Sequence, residues 1–225
     1  MNNNIVHIIY LAMAYLVLFV SSEVLYHKFR FKAEFTRKYV HIATGVLSLL
    51  FPLLFDNHLF VLGLTFSFLI ILLLSVKYDF LKSINEISRV SRGSILYPII
   101  VYVTYLVYHN YNQMIFYYIP ILILAICDPI AAFIGKIWTK FSYKTFGQTK
   151  TLTGSIGFFI VAIVVGLLLM LNLESIGIVK AIVIALVIAL TTTIAEALTH
   201  KGYDNIAIPL TAIMVLILFK KLNYI

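Results

Sequence analysis

Long apolar runs separated by short polar segments set the pattern of this chain. Eight such runs cover residues 5–25, 39–55, 59–76, 94–108, 114–134, 155–173, 179–198 and 205–219, the fourth and the last being the shortest. A bilayer core about 30 Å thick takes about 20 apolar residues per helix, so each run reads as a membrane crossing. Eight crossings would use about 160 of the 225 residues and leave about 65 for loops and ends. The pattern predicts an all-α, polytopic membrane helix bundle of about eight transmembrane helices, or seven if a short run does not cross. No internal repeat, low-complexity tract or Pro/Gly-rich linker divides the chain, so residues 1–225 read as a single integral membrane domain.

Composition narrows the classes further. A hydrophobic content of 62%, a charged content of 12% and a mean hydropathy of +1.03 lie far from the roughly 45–50% apolar and about 25% charged usage of soluble domains. A secreted disulfide scaffold, a disordered tail protein and a soluble nucleotide-binding domain are excluded, because loops this short could not hold them. The 17 Lys and Arg residues set an orientation. Five (Lys28, Arg30, Lys32, Arg37, Lys38) follow the first run, four (Lys77, Lys82, Arg89, Arg92) the third and four (Lys136, Lys140, Lys144, Lys150) the fifth. None follows the second or fourth, and only Lys180, Lys201, Lys220 and Lys221 remain. Fourteen thus fall in odd-numbered loops, which the positive-inside rule places in the cytoplasm, with both termini outside. This topology, rather than nucleic-acid binding, explains the net charge of +8, since the basic residues are scattered beside apolar runs. The first run lacks the basic start of a signal peptide and reads as an uncleaved span. The lone Cys127 excludes an internal disulfide and reads as a small core residue.

Candidate chemistry gathers on the cytoplasmic side. Asp128 stands near the end of the fifth run, and an ionisable group at that depth is a functional-site hypothesis by default. On a helix, Ala132, Gly135 and Lys136 share its face, joining a carboxylate, small residues and an amine. The alternative is a simple ion pair with another helix. The segment that follows interleaves Lys136, Lys140, Lys144 and Lys150 with Gly147, Thr149, Thr151, Thr153, Gly154 and Ser155. Lysines neutralise phosphates, glycines admit them to the backbone, and a helix N-terminus offers free N–H groups to an anion. Thr153 or Ser155 is the expected N-cap. Lysines that merely bind anionic headgroups would fit the charges, but would not account for the Gly, Thr and Ser beside them.

Arg37, Lys38, His41 and Gly45 open the second run, with Arg37, His41 and Gly45 on one helical stripe. His41 reads as a general base or a phosphate donor, or as an interfacial anchor. Glu34, one turn before Lys38, reads as its ion-pair partner. At the end of the seventh run Thr192, Glu196 and His200 share a stripe, and Asp204 and Asn205 begin the eighth run, where either could cap it. Asp128, Glu196 and Asp204 together could hold Mg²⁺, which favours carboxylate and phosphate oxygens.

These blocks resemble, in order, the polyprenol kinase family of dolichol kinases, phytol kinases and CTP-dependent diacylglycerol kinases. The matching stretches are Arg37-Lys38-x-x-His41-x-x-x-Gly45, Gly93-Ser94-x-x-Tyr97-Pro98, Asp128-x-x-Ala131-x-x-x-Gly135-Lys136, Lys150-Thr151-x-x-Gly154-Ser155, and Glu196 followed by Asp204-Asn205-x-x-x-Pro209-Leu210. Cys127 replaces a glycine usual in the family, and Thr153 a frequent glutamate. The resemblance implies transfer of the γ-phosphate of CTP to the hydroxyl of an isoprenoid alcohol or diacylglycerol in the bilayer, without nucleic-acid partners. It implies Mg²⁺ on Asp128 with Glu196 or Asp204, and phosphate binding by Arg37, Lys38, Gly135, Lys136, Lys150, Thr151, Gly154 and Ser155. Asp128 and His41 are the candidate bases. A CDP-lipid synthase, which moves CMP instead, is the nearest rival, although it would end in paired aspartates where this chain has Asp204-Asn205. A transporter would carry its charges at mid-membrane rather than at one face.

Overall fold

A computed structural model describes residues 3–86, 92–146 and 148–225. Arg89 and Gly147, both used above, lie outside them. Six helical segments come first: α1 (Asn3–His27), α2 (Ala33–Ser48), the single turn α3 (Phe51–Leu54), α4 (His58–Lys77), the single turn α5 (Lys82–Asn85) and α6 (Gly93–Tyr111). α7 (Ile115–Leu122) continues through a π-helical turn, Ile123–Cys127, into α8 (Asp128–Ile137). A hairpin of β1 (Ser142–Thr145) and β2 (Gln148–Thr151) then leads to α9 (Leu152–Leu173), α10 (Ile178–Leu198) and α11 (Asp204–Lys221).

Each apolar run falls on one of these helical segments or on a joined pair. Five helices, Asn3–His27, His58–Lys77, Ile115–Ile137, Leu152–Leu173 and Ile178–Leu198, are long and apolar enough to cross a membrane by length and composition. The other three long helices are shorter or more polar. α2 has 16 residues and carries Glu34, Arg37 and Lys38, while α11 has Asp204 in its first turn and Lys220 and Lys221 in its last. α6 is rich in tyrosine.

The middle of the fold is α7 and the π turn. Ile115, Phe116, Tyr117, Ile119, Ile121, Ile123 and Leu124 are all fully buried, enclosed by α2, α6, α9 and α11. Helices in lipid gain no hydrophobic drive from one another, so small residues that permit close approach matter most. Gly166 of α9 lies against Ala185 of α10, where an added Cβ would meet the alanine Cβ at 3.4 Å.

The π turn has an identifiable cause. Pro129 lacks an amide hydrogen, so the carbonyl five residues back in a π register, Leu124, is left without its helical donor. His41 fills that place, with Nε2 3.0 Å from the Leu124 oxygen. The segment after Lys136, expected as a plain loop, is instead a hairpin with Ser142 opposite Thr151 and Thr145 opposite Gln148. It is tied to α10 by Thr145 Oγ1, which donates to the Ala197 carbonyl at 2.9 Å. The fold is therefore nearly, not wholly, α-helical.

Candidate active site

Local backbone chemistry places the polar residues. The N-cap of α9 is Thr151, not Thr153 or Ser155: its extended backbone turns the chain, and its Oγ1 accepts from Gly154 N at 3.1 Å. Nor do Asp204 and Asn205 cap α11. Tyr203 holds that position, Asp204 Oδ1 accepts from Asn205 N at 3.0 Å, and Asn205 Nδ2 donates to the Gly93 carbonyl at 2.8 Å, pinning the start of α6. Arg92 N and Nη1 reinforce that join through the Lys201 carbonyl and the Tyr203 hydroxyl.

α8 and α9 approach closely beside the cap. A Cβ on Gly135 would meet Thr151 Oγ1 at 2.5 Å, and one on Gly154 would meet the Ala131 carbonyl oxygen at 2.9 Å. Glycine is thus required at both positions by contact rather than by conformation.

A polar cavity of about 290 Å³ opens at this junction. Its walls hold Arg37, Lys38 and His41 of α2, Asp128, Gly135 and Lys136 of α8, Lys150 and Thr151 of β2, Gly154 and Ser155 of α9, Glu196 of α10 and Asp204 of α11. All twelve residues to which the resemblance gives a role lie on this one surface, although they span residues 37 to 204, whereas Lys140, Lys144, Thr192 and His200 do not line it. Gln148, which the sequence reading did not single out, joins them because the hairpin folds over the cavity.

The pairings differ from those expected. Glu34 pairs with Lys136 Nζ at 2.5 Å instead of with Lys38. Lys150 and Glu196 pair with each other at 2.7 Å, with side chains 13% and 10% exposed, and Lys150 also donates to the Glu196 carbonyl. Lys38 Nζ is buried and has no hydrogen-bond partner among the described residues. Burial pushes its ammonium below the ordinary lysine value; Asp128 opposes that shift while Arg37 and Lys136 add to it. Two helix N-termini, those of α9 and α11, end on the same cavity and bring partial positive charge to it.

His41 donates from Nε2, because the Leu124 carbonyl can only accept, and the neutral ring then keeps Nδ1 as an acceptor. Asp128 begins α8 half-buried, and its carboxylate makes no hydrogen bond or ion pair among the described residues. The charges of Asp128 and Asp204 both act on Glu196. Among the described residues no three His, Cys, Asp or Glu side chains gather closely enough to hold a metal ion by themselves. The donor set fits Mg²⁺ arriving with a polyphosphate, since that ion commonly takes one or two carboxylates and fills its shell with phosphate oxygens and water.

A second cavity, apolar and about 80 Å³, adjoins the first. Arg37, His41 and Asn205 line both. Tyr97 stands at the join, its ring edge-on to His41 at 4.8 Å and its hydroxyl donating to the His41 carbonyl at 3.3 Å.

The chain is 26% identical over 184 residues to a phytol kinase of Synechocystis sp., an alignment covering 81% of this chain and 78% of that protein. No family model and no solved structure matches it.

Proposed function

We infer that this chain, a relative of the polyprenol and phytol kinases and by that kinship a lipid kinase, transfers the γ-phosphoryl group of CTP to the hydroxyl of an isoprenoid alcohol or diacylglycerol. One observation carries the reading: four cations, a carboxylate without a described partner and two helix N-termini line a single cavity that shares a wall with an apolar one. A polyanion belongs on one side and a lipid alcohol on the other.

Phosphoryl transfer asks mainly for positioning and charge neutralisation. Arg37, Lys38 and Lys136 would hold the phosphates, with the positive end of the α9 dipole adding to the cradle. Lys150, held by Glu196, would contribute charge and keep the hairpin in place. The alcohol oxygen attacks the γ-phosphorus, the bond from that phosphorus to the β–γ bridging oxygen breaks, and CDP leaves. The hydroxyl proton passes to Asp128 or to His41 Nδ1, the two acceptors near the shared wall. Asp128, with Asp204 or Glu196, would hold Mg²⁺, which supplies neutralisation of the triphosphate charge. The site would face the cytoplasm, where the nucleotide is, as the lysine distribution suggests.

The test is label transfer by the purified chain in detergent with Mg²⁺, comparing γ-labelled with α-labelled CTP. Label from the γ position in a lipid alcohol is the expected result. Label from the α position in phosphatidic acid would make the protein a CDP-lipid synthase. No transfer from CTP, ATP or GTP to any acceptor would sink the enzyme reading and turn attention to transport.

A further inference from the structure

We propose that the apolar cavity binds the carbinol end of the acceptor, and that its lining restricts acceptors to alcohols with plain hydrocarbon next to the hydroxyl. This rests on the kinase reading and names the acceptor half of the same site. The cavity is walled by α1, α2, α4 and α6, with Phe68 packed on Tyr15 at 4.4 Å and Val101 closing the far side. Among the described residues its polar edge toward the cation-lined cavity is formed by Arg37, His41 and Asn205 together with Ser94. An alcohol seated with its chain inward therefore presents its oxygen at that edge, beside Asp128 and His41.

The hydroxyls deeper in the lining are already committed. Thr44 Oγ1 donates to the Val40 carbonyl at 2.7 Å, Thr65 Oγ1 to the Val61 carbonyl at 2.8 Å, Tyr15 to the Thr44 carbonyl at 3.4 Å and Tyr97 to that of His41. A prenyl or straight hydrocarbon chain asks nothing of these groups. A diacylglycerol would bring ester carbonyls within a few bonds of its hydroxyl, and beyond the polar edge these committed hydroxyls have no proton to offer them. One unsatisfied buried polar group lowers affinity by about tenfold or more.

Size sharpens the inference. About 80 Å³ is several times the roughly 10–15 Å³ that one water needs and about half the roughly 150 Å³ of a cavity that takes benzene. The first few carbons fit, and the rest of the chain must lie outside. Selection therefore acts on the groups near the hydroxyl and is nearly indifferent to tail length.

The experiment uses the full chain in detergent with γ-labelled CTP and Mg²⁺, offering phytol, a saturated straight-chain alcohol and diacylglycerol. In parallel, an alcohol carrying a diazirine a few bonds from its hydroxyl is photolysed on the protein and its attachment mapped. Expected are transfer to both simple alcohols, at least about tenfold lower kcat/KM for diacylglycerol, and attachment at Thr65, Phe68 or Val101. Val101→Phe should raise the KM for alcohol by about tenfold and leave that for CTP within about twofold; Thr65→Leu serves if that variant does not fold. Equal use of diacylglycerol, unchanged alcohol KM in both variants, or attachment elsewhere overturns the proposal while leaving the kinase intact. If no acceptor is labelled, the kinase reading fails, and the attachment map alone decides whether the cavity binds an alcohol.

Discussion

With its ammonium buried, Lys38 gives up its proton more readily in the fold than in the unfolded chain, where it holds the ordinary value of 10.5. The unfolded state binds more protons in the window below that value, so stability rises with pH across it. Lys38→Met should abolish that rise and raise the melting temperature at neutral pH by a few degrees, because it removes a desolvated charge without a described partner. The same variant should lose stabilisation by CTP, the donor proposed above, since the anion that would complete Lys38 then has less to bind. Melting curves at several pH values, with and without CTP, check both points; parallel curves for parent and variant would sink them. Asp128→Asn tests the other half of the cavity. It should cost about 10²-fold or more in kcat with an unchanged melting curve, and a fully active variant would remove Asp128 from the chemistry. These residues were legible in the sequence because charge among apolar neighbours is conspicuous. Their partners were not: spacing within α2 offered Glu34 to Lys38, whereas the fold brings Lys136 to Glu34 from 102 residues away.

At the scale of elements, the hairpin shows what one-dimensional pattern misses. Residues 142–151 hold two lysines and read as a polar loop, and only contact with α10, through Thr145 to Ala197 and Lys150 to Glu196, makes them a structural part of the cavity. Lys150→Met should destabilise the protein by about 3–5 kcal/mol by stranding Glu196, and Lys150→Met with Glu196→Leu should recover most of that loss. Denaturation of the two variants in detergent measures it; equal stability of both would show that the pair holds nothing. The π turn was equally hidden. Pro129 removes a backbone donor there, and the Leu124 carbonyl is bonded instead by a histidine 83 residues away. Gly135 and Gly154 were read as phosphate-admitting residues, and the structure gives them a second reason, the contact of α8 with α9. Gly135→Ala should force Thr151 aside, disturb the cap of α9 and weaken CTP binding more than it lowers the melting temperature. Isothermal titration with CTP and melting curves of parent and variant measure the two effects, and unchanged CTP affinity would sink the point.

For the whole molecule, hydrophobic runs located every long helix, because length and apolarity are the properties that membrane burial selects. What they leave to measurement is how many helices cross. α2, α6 and α11 are shorter or more polar than the five most apolar helices, and α2 and α11, with α8, the hairpin, α9 and α10, line the polar cavity. Eight crossings put both termini on one side of the membrane, and five put them on opposite sides. Tags at each end, tested for protease access in sealed vesicles, should be cut together from outside the cell. Cys127, fully buried, makes a quiet background for the same question asked residue by residue with maleimides. The wall shared by the two cavities bears finally on thrift. If transfer occurs at that wall, the attacking oxygen must come from a chamber whose deep hydroxyls offer no spare proton to hold a water in position. Water in that chamber would then be a poor substitute for the missing lipid, and the loaded enzyme would idle instead of draining the nucleotide pool when its acceptor runs short.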